Sequence, residues 1–187
     1  MTDLHSNQLA NQRSWEVVRH TIRPTKRTVG AIVRHVDLHY FPRGGVPQDQ
    51  GNVVNLPGGG QVLEKKRYFL VVGRMPGTLV ECPIFTYGGE GLRGRNRDTW
   101  REYCSIRSPN VPVEGFMNQS PNNQVLDVEW EKGSFQVKQS AVVRLSELRF
   151  RDEDDDVDLV AAVSFGALQY AREKIADLIS AAVMIAR

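Results

Sequence analysis

Residues 65–87, KKRYFLVVGRMPGTLVECPIFTY, constrain the fold more than any other stretch. Two runs dense in β-branched and aromatic residues flank Met75-Pro76-Gly77-Thr78, and such runs joined by a tight turn read as adjacent strands of a hairpin. A lone hairpin is marginal in water, so the pair needs further strands and an apolar layer beneath it. Pro83 lacks an N–H and marks an edge or a bulge in the second run.

The rest of the chain supplies those strands. SWEVVRHTI (14–22) and TVGAIVRHVDLHYF (28–41) have strand-like composition and are separated by the turn-prone RPTK. Residues 42–61 hold six glycines and three prolines, which predicts a long surface loop. Pro109 to Gln124 reads as a second loop. In residues 125–145, Val125, Leu126, Val128 and Trp130, then Phe135 and Val137, predict another hairpin turning at Lys132-Gly133. VDLVAAVSF (157–165) is a last strand.

The C-terminal segment has a different period. Leu168, Ala171, Ile175, Leu178, Ala182 and Ile185 recur every three or four residues, which predicts an amphipathic helix over 164–186. Such a helix covers an open end or face of a barrel, or forms the seam of a homodimer.

With 187 residues, 41% of them apolar, the chain can bury one ordinary core. Residues 1–13 are polar and are expected to form a disordered tail, leaving 14–187 as a single domain. The 24 basic and 22 acidic side chains nearly cancel, so any binding to a polyanion must come from a local patch. The first residues lack a secretory pattern and no apolar run nears the roughly 18 residues of a bilayer span. An intracellular protein, cytoplasmic or nuclear, with no membrane partner is expected. Cys82 and Cys104 are then expected as buried free thiols.

Gly89-x-Gly91-x-x-Gly94 matches the letters of a dinucleotide-binding loop but not its context. That loop needs a helix starting at its last glycine, so that amides and the positive helix end meet the pyrophosphate. Here RNRDTWREY follows, without an apolar helical stripe, and the glycines are read instead as positive-φ turn residues. Neither a phosphate loop nor a nucleophile elbow is present, so no catalytic residue is assigned and no cofactor is expected.

The same region carries Arg93, Arg95, Arg97 and Arg101 near Tyr87 and Trp100. Guanidinium groups make bidentate phosphate contacts and aromatic faces stack unpaired bases. These six residues are the candidate site for a phosphorylated ligand or nucleic acid. The opposite charge block, Asp152 to Asp158, lacks calcium-loop spacing and reads as a solvated turn, with pairing to the arginines as the alternative. His35, Asp37 and His39 share one face of a strand and are the metal-ligand candidates. Same-face Cβ atoms stand about 6.5–7 Å apart, so the three converge poorly on one ion. The alternate positions Val36, Leu38 and Tyr40 form an apolar face, making the histidine side the solvated one.

Pro83, Ile84, Thr86, Tyr87, Gly88, Gly89 and Gly91 spell a Pro-Ile-x-Thr-Tyr-Gly-Gly-x-Gly signature. With TVGAIVRHVDLHYFPRGG upstream, residues 15–165 resemble a fungal domain family for which no reaction is established. Glu102-Tyr103-Cys104-Ser105-Ile106 stands where that family carries a histidine in an Asp-His-x-x-Ile segment, and the terminal helix is longer. More distantly, the element order is similar to the SH3-like barrels of MazF- and PemK-type toxins, some of which cut RNA. The resemblances imply a mainly β (α+β) fold: a small SH3-like β-barrel with long loops and a C-terminal helix. The expected function is a binding module for a phosphate-bearing or nucleic-acid partner. The alternatives are a small enzyme, cutting RNA or acting on a small molecule in a barrel pocket, and a dimerisation domain.

Overall fold

A computed structural model describes residues 28–41 and 52–185, with Thr25 and Gly45. The expected tail 1–13 and the expected strand 14–22 lie outside the described residues. The elements are β1 (Ala31–Phe41), β2 (Asn52–Asn55), β3 (Gln61–Met75), β4 (Thr78–Phe85), β5 (Tyr103–Arg107), β6 (Leu126–Glu131), β7 (Val142–Arg144), β8 (Arg149–Asp152), β9 (Asp158–Val163) and α1 (Phe165–Ile185).

The fold is mainly β. One sheet runs β2-β3-β1-β9-β6-β5-β7-β4-β8, and β3 also pairs with β4, which joins seven of the strands into a ring. β3 and β4 form the expected antiparallel hairpin from Tyr68↔Ile84 to Met75↔Thr78. Gly77 takes the turn at φ +71, and a bulge lies between Val71 and Gly73. Pro83 is placed by the same logic. The second side of β4 pairs with β8 at residues 78–81 and with β7 at 84–85, so Pro83 falls in the gap between them, where no N–H is needed.

Two expectations fail for reasons of pairing. The loop predicted over 42–61 contains a strand, β2, whose Val53 and Val54 pair with Leu63 and Val62 of β3. A turn from Leu56 to Gly60 connects them, with Gly58 and Gly59 at positive φ. The hairpin predicted at Lys132-Gly133 turns there but forms no second strand. β6 already pairs with β5 on one side and β9 on the other, so residues 135–137 have no edge to join. Instead, Glu131 accepts hydrogen bonds from the Val137 amide at 2.9 Å and from Ser108 Oγ at 3.0 Å, pinning 132–141 as an irregular wall.

The β5–β6 pair is parallel and needs a long crossover. Residues 108–125 supply it without a helix, held by buried Ser105, Ser120 and Asn123. Asn123 Nδ2 donates to the Tyr103 carbonyl at 2.7 Å, and Ser120 Oγ to the Trp100 carbonyl at 2.7 Å. The main core includes Ile32, Leu70, Ile106, Leu126, Val143 and Leu145, together with Cys82 and Cys104. Both thiols are free and buried, and that burial pushes each up to about 12, leaving them inert at neutral pH.

The helix docks on this core by its first half. Ser164 caps its start through the Ala167 amide, and Ala167, Leu168, Ala171 and Ile175 join the core. The stripe read from the sequence continues to Ile185, yet among the described side chains contact with the core ends at Leu178: Ile179, Val183 and Met184 are exposed. Among the described residues no helix is long and apolar enough to cross a membrane.

The faces of β1 are the reverse of the sequence expectation. Leu38 and Tyr40 are 64% and 62% exposed, while the side chains of His35 and Asp37 are 16% and 10% exposed. Charge pairing makes the inversion possible. Glu81, fully buried, accepts from Arg151 Nε at 2.7 Å and meets His35 Nε2 at 2.8 Å. His35 also stacks on Phe69 with ring centroids 4.1 Å apart, so the polar face of β1 continues a second apolar cluster of Val33, Phe69, Val71 and Leu79. Burial works against the charged imidazole, but Glu81 and the Val36 carbonyl outweigh it and raise the pKa of His35.

Three predictions follow from the packing. Glu81→Ala strands Arg151 and His35 without their counter-charge and is expected to cost about 3–5 kcal/mol in denaturant unfolding. Because the folded pKa of His35 is raised, its contribution is complete below about pH 6.5, its ordinary value, and fades as pH rises through the folded value. The stability difference between the native chain and His35→Gln should therefore shrink as pH rises. On the helix, Ile175→Ala should cost about 2–5 kcal/mol, whereas Val183→Ala should stay within about 0.5 kcal/mol.

Candidate functional site

The turn that follows β4 is built from left-handed residues. Gly88, Gly89 and Gly91 take φ of +72, +100 and +57, and Tyr87 takes +46, the sole positive φ at a non-glycine among the described residues. The glycines serve backbone curvature, as the sequence implied, because a Cβ there meets its own carbonyl. Tyr87 bears that strain itself, and such strain persists only where surroundings over-determine it. Its ring lies against Phe85 at 5.1 Å and 9°, its hydroxyl is 2.9 Å from that of Tyr103, and the Arg95 guanidinium lies over the ring at 4.0 Å. Burial, followed by the hydrogen bond with Tyr103, holds the Tyr87 hydroxyl protonated well above the usual tyrosine range.

The stack extends one layer further. The guanidinium of Arg67 lies over Phe85 at 5.2 Å, so Arg67, Phe85, Tyr87 and Arg95 form a column of successive ring contacts that begins and finishes with a cation. Arg67 Nε is also 2.8 Å from Asp37 Oδ2, a charge contact not aligned as a hydrogen bond, and Asp37 in turn holds His39 at 2.6 Å. Asp37 is thus taken by Arg67 and His39, and Glu81 takes His35. Among the described residues no three His, Cys, Asp or Glu side chains gather as a metal site.

The column forms one wall of a cleft of about 610 Å³. Lys65, Lys66, Arg67, Arg95 and Lys138 line it, and among the described residues no carboxylate does. Tyr68, Phe85, Tyr87 and Phe135 provide aromatic surface, with Tyr68 and Phe135 in tilted contact at 5.4 Å. The cleft owes its place to a gap in pairing. β2 covers β3 at residues 61–64 and β4 covers it from Tyr68 onward, so Lys65, Lys66 and Arg67 have no described strand on that side. Alternate residues of an unpaired strand edge aim N–H and C=O groups outward, here toward the cleft.

Of the six residues read as a site from the sequence, the structure brings Tyr87 and Arg95 into the cleft. Arg93 is exposed and sits 3.8 Å from Glu90. Arg97 leans over Trp100 at 5.8 Å, and Trp100 itself packs against Leu92, Tyr103 and Val142. Arg101 is exposed near the end of a short helical turn, Arg97–Glu102, where Asn123 Nδ2 donates to its carbonyl. The acidic run makes the turn between β8 and β9, with Glu153 2.8 Å from Arg74 and Asp158 2.6 Å from Arg34. The sequence reading missed Lys65, Lys66, Arg67 and Lys138. A signal existed for the first three, since three successive cations at the head of an apolar strand break its alternation.

Gly89→Ala tests the backbone account, because an added Cβ meets nothing within 4 Å and only the φ of +100 opposes it. It should lower stability by about 1–2 kcal/mol in chemical unfolding.

No family model, curated protein or solved structure matches the chain.

Proposed function

We propose that this protein is a binding module for a phosphate-bearing ligand, held in the cleft between β3, the β4 turn and the 132–141 wall. The observation that carries the reading is the lining: five cations, aromatic surface and, among the described residues, no carboxylate. In a chain whose charges nearly balance, with a net of +2, such segregation makes a local positive field without a global one. Stacking on Tyr87 orders the Arg95 guanidinium in advance, so less side-chain entropy is lost when it grips an anion. Arg67 is ordered likewise by Phe85 and Asp37.

On this reading the ring is a small barrel of the SH3-like kind, and the family-like signature makes one wall of its binding cleft. Tyr87, neutral and bonded to Tyr103, serves as platform and hydrogen-bonding group rather than as a phenolate base. The size of the cleft falls in the range of small-ligand sites, roughly 300–1,000 Å³.

Binding of a short single-stranded oligonucleotide, followed by fluorescence anisotropy at rising salt, tests the reading. Affinity should fall steeply with salt, with a log–log slope of about −0.7 for each phosphate contacted. Arg95→Ala or Lys138→Ala should each weaken binding roughly 10-fold or more and lower the steepness of that slope by about one contact's share. Binding indifferent to salt and to both substitutions would exclude the cleft as a phosphate site.

A further inference from the structure

A second cleft, of about 330 Å³, adjoins the first and shares Gln136, Val137 and Lys138 with it. Its chemistry differs. Beyond the shared wall it is lined by Ser108, Asn110, Val111 and Gln139, so Lys138 is the sole charged side chain in its described lining. Asn110, Gln136 and Gln139 are exposed, and among the described residues their side-chain amides hold no hydrogen-bond partner. Each amide offers a donor pair and an acceptor, the complement of a nucleobase edge. Ser108 has a different role, donating to Glu131 at 3.0 Å and accepting from the backbone N–H of Asn110 at 3.4 Å, which fixes the turn carrying Asn110.

The shared wall is held from below. Glu131 binds the Val137 amide, the Ala141 amide donates to the Lys138 carbonyl at 2.9 Å, and Phe135 and Val137 pack on the core. Lys138 therefore stands at a fixed point between a cationic, aromatic cleft and a neutral, amide-rich one.

We propose that the ligand is single-stranded nucleic acid lying across both clefts, its phosphates met by Lys138, Arg95 and Arg67 and a neighbouring base edge read by Asn110, Gln136 and Gln139. The proposal rests on the phosphate reading above and adds the base. A nucleotide chain is the polyanion that repeats a phosphate beside a neutral, planar hydrogen-bonding group, which is the order of the two clefts. Two guanidinium groups, each ordered on a different ring of the Phe85–Tyr87 pair and both lining the cleft, favour more than one phosphate. A duplex hides its base edges within its grooves, whereas an unpaired strand can splay a base into a notch and stack another on the outer face of Arg95.

The test compares three probes on the full chain by fluorescence anisotropy: a mixed-sequence single-stranded 12-mer, an abasic phosphodiester ladder of equal length, and a phosphopeptide of equal charge. The 12-mer should bind roughly tenfold tighter than either other probe. Asn110→Ala combined with Gln139→Ala should bring the 12-mer to the level of the ladder, with the salt slope and the thermal unfolding midpoint unchanged, because these amides are exposed and hold no partner. If ladder and 12-mer bind equally and with the same steep salt dependence, the base reading falls while the phosphate reading stands. A phosphopeptide binding as tightly as the 12-mer also overturns the nucleic-acid assignment. If no probe binds, the phosphate reading fails and the proposal with it.

Discussion

Everything in this fold hangs on the pairing of β3 with β4. A nine-stranded sheet without it would be an open one with long edges; the run from Tyr68↔Ile84 to Met75↔Thr78 joins β3 to β4, the second strand from each end, and closes seven strands into a ring with β2 and β8 attached outside it. Unpaired strand edges invite association, and closure removes most of them. It also gathers Leu70, Cys82 and Ile84 into one cluster with Ile106, Leu126 and Val143, giving α1 a core on which to dock.

The same pairing places the cleft. β3 is 15 residues long and serves β1 along one side, but β2 and β4 share its other side incompletely. The uncovered segment is Lys65-Lys66-Arg67, and the β4 turn delivers Tyr87 and Arg95 opposite it. The cations can remain close because each is steadied separately: Arg67 by Asp37 and Phe85, Arg95 by Tyr87. Positive φ at Tyr87 and the glycines after it is the backbone condition for that arrangement.

Local features were legible in the sequence. The β3–β4 hairpin, the strand at 31–41, the last strand and the terminal helix all follow from period and turn chemistry within a short window. Features decided at long range were not. Whether Val36, Leu38 and Tyr40 or His35, Asp37 and His39 faced inward depended on Glu81 and Arg67, supplied by other strands. Alternation alone favoured the apolar face, and ion pairing reversed it. Residues 125–137 carry the pattern of a hairpin, but both edges of β6 were taken by β5 and β9, a fact absent from that window.

By itself the sequence determined a mainly β chain with a positive-φ turn after a Pro-Ile-x-Thr-Tyr strand, a helix at its end and arginines near that turn. These follow from the conformational preferences of single residues and their neighbours. Only the tertiary structure decided which cations share a site, because Lys65, Arg67, Arg95 and Lys138 lie in three separate segments of the chain. Ring closure brings those segments together, and no local preference records it.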